Sequence, residues 1–326
     1  MRNLLTDIAG VSVGHATDLS LGSGVTALLF DTPAIASVAV FGGAPGGRDT
    51  HMLEPEMTIA AVDAIVLSGG SAYGLDAAGG VQAWLREQGR GLEIRGLRIP
   101  LVSQAILFDL ANGGYKNWGR YSPYLQLGYA AAAAATDKDF ALGSAGAGTG
   151  ATTATVKGGL GSASTRTSTG HIVAALVAVN AIGSPLIGDG PWFWAAPFEV
   201  NAEFGARGWP ASMPEIASAL RFKGGPATTI GIVVTDATLT KPQAKRLAIM
   251  AHDGLARAIL PAHAPMDGDT IFAAATGTHT VADSATLTEL GHAATLTMAR
   301  AIARGVYEAT PLPLAGAQQS WRQIFG

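Results

Sequence analysis

Short strand-like runs of apolar residues alternate with helical patterns over the first two-thirds of this chain. Residues 23–31 (SGVTALLFD), 36–42 (ASVAVFG) and 63–70 (DAIVLSGG) are apolar runs bounded by Gly, Pro and Asp, and each predicts a strand. Residues 75–87 switch to helical spacing, with Leu75, Ala78, Val81, Trp84 and Leu85 on one face and Gly89 as the stop. The alanine run at 129–140 predicts a helix end, and its alanines are explained by helix propensity alone. Residues 171–181 (HIVAALVAVNA) are small and β-branched throughout, the pattern of a strand buried on both faces.

Periodicity then fails. Residues 188–223 concentrate Pro, Gly and aromatic residues, which predicts a long surface excursion suited to a lid or a substrate wall. Residues 228–237 (TTIGIVVTDA) return to strand. Residues 241–259 form an amphipathic helix with Leu247, Met250, Ala251, Leu255 and Ile259 on its apolar face. No fixed-period repeat appears, and the alternation predicts an α/β class in one domain spanning 1–326.

Composition narrows the function classes. Apolar residues make up 48% of the chain and charged ones only 14%, enough to build an extensive core. A net charge of −3 without any basic run argues against nucleic acid. The absence of cysteine excludes disulfides and thiolate metal sites, and fits a reducing cytoplasm. The start, MRNLLTDIAG, reaches Asp7 before any apolar stretch and is unlike a signal peptide; no apolar run is long enough to predict a membrane span.

The most informative residues are 266–272, MDGDTIF. Thr270 follows an acidic turn and opens an apolar run, so an exposed turn is expected to lead into a buried strand. A cut between Asp269 and Thr270 would leave a threonine whose hydroxyl and free α-amine lie side by side, a known way to activate a hydroxyl nucleophile. That amine suits a base's role because its ordinary pKa, about 7.7–8.0, lies near working pH. Read alone, DGDT is equally a hairpin turn or a loose calcium-like loop. His263, Asp267 and Asp269 on one turn are a weak metal motif, and neither metal nor cofactor is expected.

Several blocks in order settle the choice. VFGGAPGGRDTHMLEP (40–55), VDAIVLSGGSAYGLDAAGGV (62–81), AGAGTGATTATVKGGLGSAS (145–164), VAALVAVNAIG (173–183) and DGDTIF resemble the self-processing peptidases. That group includes L-aminopeptidase/D-amidase-esterases, β-peptidyl aminopeptidases and nylon-oligomer endohydrolases. The resemblance covers nearly the whole chain. It implies a four-layer αββα sandwich, self-cleavage into residues 1–269 and 270–326, and Thr270 as the nucleophile of the threonine branch. It also implies a homo-oligomer, commonly a tetramer. The apolar, proline-rich stretch PWFWAAPF (191–198) points the same way, because it predicts more exposed apolar surface than a monomer carries.

Two further residues follow from the resemblance. Lys157, among small residues in TVKGGLG, matches a lysine beside the nucleophile; its ammonium would disfavour protonation of the neighbouring amine. Asn180 interrupts an apolar strand, and a buried amide must find partners. It matches the family's asparagine, which implies an oxyanion donor. One departure stands out: where relatives often carry a tyrosine, this chain has Phe108, so a second oxyanion or substrate contact must come from backbone N–H groups or from Tyr73. The substrate class is then a short peptide or a linear amide such as a 6-aminohexanoate oligomer. Aminopeptidase action, acyl transfer and an uncut scaffold are the alternatives.

Overall fold

The Asp31-Thr32-Pro33 step does not end a strand; it bends one. In the computed structural model, which describes residues 1–281 and 283–326, β1 (Val11–Asp18) is followed by β2 (Ser23–Val40), a single 18-residue strand where the sequence predicts two. The three residues at the step are exposed, and the register with the neighbouring strand shifts between Leu29 and Ala34. Proline offers no ladder hydrogen bond, so the strand yields there and turns.

The remaining strands are β3 (Gly47–Arg48), β4 (Ala61–Ser68), the separate hairpin β5 (Leu92–Ile94) with β6 (Leu97–Ile99), β7 (Val102–Ile106), β8 (Gly159–Arg166), β9 (Ile172–Asn180), β10 (Thr228–Thr238) and β11 (Thr270–Thr280). Their order is β3-β7-β4-β2-β11-β10-β9-β8, with β1 also paired to β2. The first half of β2 pairs with β1 and β4, and its second half pairs with β11. The helices are α1 (Ala77–Glu87), α2 (Tyr124–Ala133), α3 (Lys241–Ala258), α4 (Ser284–Tyr307) and α5 (Trp321–Phe325).

Alternation along each strand shows how the layers stack. On β4, Ala64 and Val66 join a cluster with Ala77, Val81, Leu85 and Ala131 of α1 and α2. Ile65 and Leu67 face the opposite way, into a cluster with Leu176, Ile232 and Phe272 of β9, β10 and β11. The intervening positions Val177, Val233 and Ile271 pack on Leu247, Leu255 and Ile302 of α3 and α4. Side chains of a strand point to opposite faces in turn, so three separate apolar clusters require four layers in the order α, β, β, α. This is the expected sandwich. Glycine sets one of its spacings: a Cβ on Gly161 of β8 would lie 1.8 Å from the Ala301 carbonyl, so only glycine lets α4 lie so close to the sheet.

Two expectations need correction. The segment 191–198 is not an exposed apolar surface. Phe193 is buried between Phe204 and Trp321, with ring centroids 5.5 and 5.8 Å away, and the Trp321 indole N–H donates to the Pro191 carbonyl at 3.0 Å. Its aromatic rings complete the core over α4 and α5. The exposed apolar residues of the excursion come later, at Val200, Trp209, Met213, Ile216, Leu220 and Phe222. The Asp-Gly-Asp turn is not exposed either: Asp267 and Asp269 each retain 1% of their accessible surface. Asp269 turns inward onto partners that the fold supplies there, whereas the Asp267 carboxylate is buried beside it with Oδ1 unpartnered.

Candidate active site

Thr270 is the first residue of β11, and two residues on, Phe272 points between the two sheets. Alternation puts the Thr270 side chain on that same face. Asn180 ends β9, where Ala174, Leu176 and Ala178 face the same layer, so its side chain projects there as well. Thr228 of β10 lies beside Asn180, and Ile230 lies beside Thr270. The two candidates therefore lie on the same face at neighbouring strand ends, with β10 between them.

The turn before Thr270 is held by hydrogen bonds from several directions. The Thr270 hydroxyl donates to the Gly268 carbonyl at 2.8 Å. One carboxylate oxygen of Asp269 accepts the Thr229 N–H at 2.9 Å; the other accepts the His263 backbone N–H at 3.1 Å and stands 2.8 Å from His263 Nδ1. The Asp269 carbonyl, which belongs to the peptide bond preceding Thr270, accepts both the Phe41 N–H at 3.0 Å and the Gly42 N–H at 3.2 Å. The Asp267 Oδ1, by contrast, is buried without a partner. Burial and then the neighbouring charge of Asp269 push the Asp267 carboxyl well above the usual carboxylate range, against the pull of Lys223.

Lys157 and Asn180 meet on the loop between α2 and β8. The Lys157 ammonium is buried and donates to the carbonyls of Gly148, Ala151 and Gly158 at 3.1, 2.7 and 2.8 Å. Burial lowers its pKa to about 7, with Lys223 adding repulsion and Asp109 opposing it. The Asn180 side-chain oxygen accepts the Thr152 N–H at 3.0 Å, and its NH2 donates to the Phe108 carbonyl at 3.0 Å. An amide NH2 carries two hydrogens, and this bond uses one of them.

Phe108 thus enters through its backbone, and its residue lines a cavity of about 380 Å3 with Asp109, Thr152, Lys223, Pro226 and Gln318. Tyr73 does not reach this cleft. It is exposed and stacks edge-on with Trp118 over a separate cavity of about 530 Å3. A cavity of about 860 Å3 beside Arg300 and Arg304 of α4 contains none of the candidate residues.

Two residues here escape sequence reasoning. Lys223 donates to the Asn180 side-chain oxygen at 2.8 Å and to the Thr152 carbonyl and hydroxyl at 3.1 Å each. Burial lowers its pKa to about 7. Nothing in its spacing relates it to Asn180; the only hint is a lone lysine just before β10. Asp109 is buried, accepting the Ser23 hydroxyl at 2.6 Å and the Gly70 N–H at 2.8 Å. Burial raises its pKa despite those bonds and the nearby Lys116 and Lys157. A carboxylate in the apolar run AILFDL was the available signal. Among the described residues no group of three or more His, Asp or Glu is placed to hold a metal.

The profile of peptidase family S58 matches residues 3–319. An uncharacterised aminopeptidase of Mycobacterium tuberculosis is 40% identical over 334 residues, covering 95% of each chain. A 6-aminohexanoate-oligomer endohydrolase of a Kocuria species is 30% identical over 295 residues, covering 84% of this chain and 75% of its own. The fold is similar to that of the L-aminopeptidase D-Ala-esterase/amidase of Ochrobactrum anthropi, whose structure is described as a variant of the Ntn hydrolase fold. The TM-score is 0.74 at 20% identity, over 99% of this chain and 92% of that one.

Proposed function

The chain belongs to peptidase family S58 and is a hydrolase, and from that premise we propose that it cuts itself before Thr270 and then hydrolyses amides with the threonine so freed. The observation that carries this reading is the position of Thr270, buried at the start of β11 with its hydroxyl turned back onto the Gly268 carbonyl of the preceding turn, on the face it shares with Asn180. In the mature site the Thr270 hydroxyl attacks the substrate carbonyl and its α-amine accepts the proton. The uncommitted Asn180 N–H binds the oxyanion. Lys157 holds the electrostatics that keep that amine unprotonated. The substrates are short peptides or linear amides, including 6-aminohexanoate oligomers, since the relatives carry both an aminopeptidase and an endohydrolase name.

N-terminal sequencing of the smaller fragment should begin Thr-Ile-Phe, with residues 1–269 as the larger one. Any other start removes Thr270 from the mechanism. A panel of peptides, β-peptides and 6-aminohexanoate oligomers, assayed on the processed protein, then separates exo- from endo-cleavage. We assign a homo-oligomeric state as well, now resting on the exposed hairpin residues Leu92, Ile94, Leu97 and Ile99. Light scattering giving the 33.0 kDa of one chain would defeat it.

A further inference from the structure

The segment 264–269 is gripped from the side of β2 by an arm of four successive backbone N–H groups. Those of Phe41 and Gly42 both donate to the Asp269 carbonyl, that of Gly43 to Ala264 and that of Ala44 to Asp267, at 3.0, 3.2, 3.3 and 2.7 Å. The first is an ordinary rung, since Thr270 pairs with Val40 in the antiparallel ladder. The second is an addition at the point where β2 ends. It requires glycine: a Cβ on Gly42 would fall 2.3 Å from the Asp269 nitrogen and 2.5 Å from the Asp267 carbonyl. Two donors thus converge on the one carbonyl oxygen that would become an oxyanion during self-cleavage. Asn180, the donor assigned to substrate, is bonded instead to Phe108 and has no contact with this oxygen.

We infer that the Phe41 and Gly42 N–H groups form the oxyanion hole of self-processing, distinct from the Asn180 donor used in turnover. The inference rests on the self-cleavage reading and deepens it. The Thr270 Oγ–carbon bond forms as the carbonyl electron pair moves onto the Asp269 oxygen, where the two N–H groups receive it. The carbon–nitrogen bond then breaks, and the nitrogen takes the proton that Oγ gives up, leaving an ester. Water cleaves that ester, giving Asp269 a carboxylate and restoring the Thr270 hydroxyl. One water is consumed and nothing is oxidised or reduced. The clamp on the Asp269 carboxylate by Thr229 and His263 keeps the carbonyl aimed at these donors throughout.

Backbone esters test this without adding atoms. Phenyllactate at position 41, or glycolate at position 42, replaces one donating N–H by oxygen; lactate at Ala39, which pairs with Ile271, weakens the same ladder away from the scissile bond. Self-cleavage is followed by intact mass after refolding, with thermal unfolding recorded to confirm folded protein. The expected result is processing slowed about 10²-fold for either ester at 41 or 42, against an unchanged rate for the ester at 39. Equal rates in all three, or equal slowing in all three, would overturn the inference while leaving self-cleavage standing. A wild-type chain that stays whole would overturn both.

Discussion

Lys223 Nζ lies 2.8 Å from the side-chain oxygen of Asn180 and so decides which way that amide points. With Thr152 donating to the same oxygen at 3.0 Å, the NH2 is left to face the Phe108 carbonyl. Lys223→Met should therefore lower kcat by up to about 10²-fold with little change in KM, because the donor is misaimed rather than removed. Asn180→Ala should cost about 10²–10³ in kcat. Kinetics on folded protein, checked by thermal unfolding, distinguish these from a collapse of the loop. An unaltered kcat in Lys223→Met would assign Lys223 to loop anchoring alone.

Thr270→Ala should leave one uncut, inactive chain, and Thr270→Ser should retain part of both processing and turnover. A denaturing gel reads the first outcome directly. Two fragments from the alanine variant would show that another residue attacks.

Lys157→Met should reduce turnover far more than it weakens substrate binding, and should remove the limb of the pH–rate profile near pH 7 that reports this amine. It should also destabilise the fold: the Gly148 and Ala151 carbonyls keep the N–H groups of Ala151 and Gly158, so the loss falls on the Gly158 carbonyl, at about 1–3 kcal/mol for a buried group left unpaired. A wild-type pH profile in a folded variant would confine Lys157 to structural support.

Asp267 supplies a pH dependence of stability. Its folded pKa is raised, so between the ordinary carboxylate pKa and that raised value the folded state holds a proton the unfolded state has released. Stability contributed by this group is full below the ordinary value and falls as pH rises towards the folded one. Asp267→Asn imitates the protonated form, so its advantage over the wild type should grow from pH 4 to pH 8 (roughly the window of the shift) and then level off. Thermal melts at pH 5 and pH 8.5 measure it; an advantage that shrinks with rising pH would contradict the assignment.

Much of this architecture was legible because single elements carry unmistakable periods. Residues 171–181 could only be an inner strand, and 241–259 could only be a helix lying on a core. The bend in β2 was not legible: Pro33 breaks a ladder in the same way whether the strand stops or turns, and only the partner strands decide. Thr270 and Asn180 were marked by chemistry out of place in apolar runs. Lys223 was not, because its partner lies 43 residues away in sequence and is brought to it by the β9–β10 pairing. The burial of Asp267 and Asp269 was hidden for a related reason, since the donors that turn Asp269 inward come from β10 and from His263.

The strand that bends also fixes what a cut before Thr270 would mean for the molecule. β11 lies between the second half of β2 and β10, so the severed piece would remain threaded through the middle of the sheet, with α3 of the larger fragment packed on it. Shape would survive while folding order would not: one chain finds its fold alone, whereas two fragments must meet. Maturation would thus convert a unimolecular folder into a heterodimer, one whose melting midpoint rises with protein concentration and which, once dissociated, has no guarantee of reassembling.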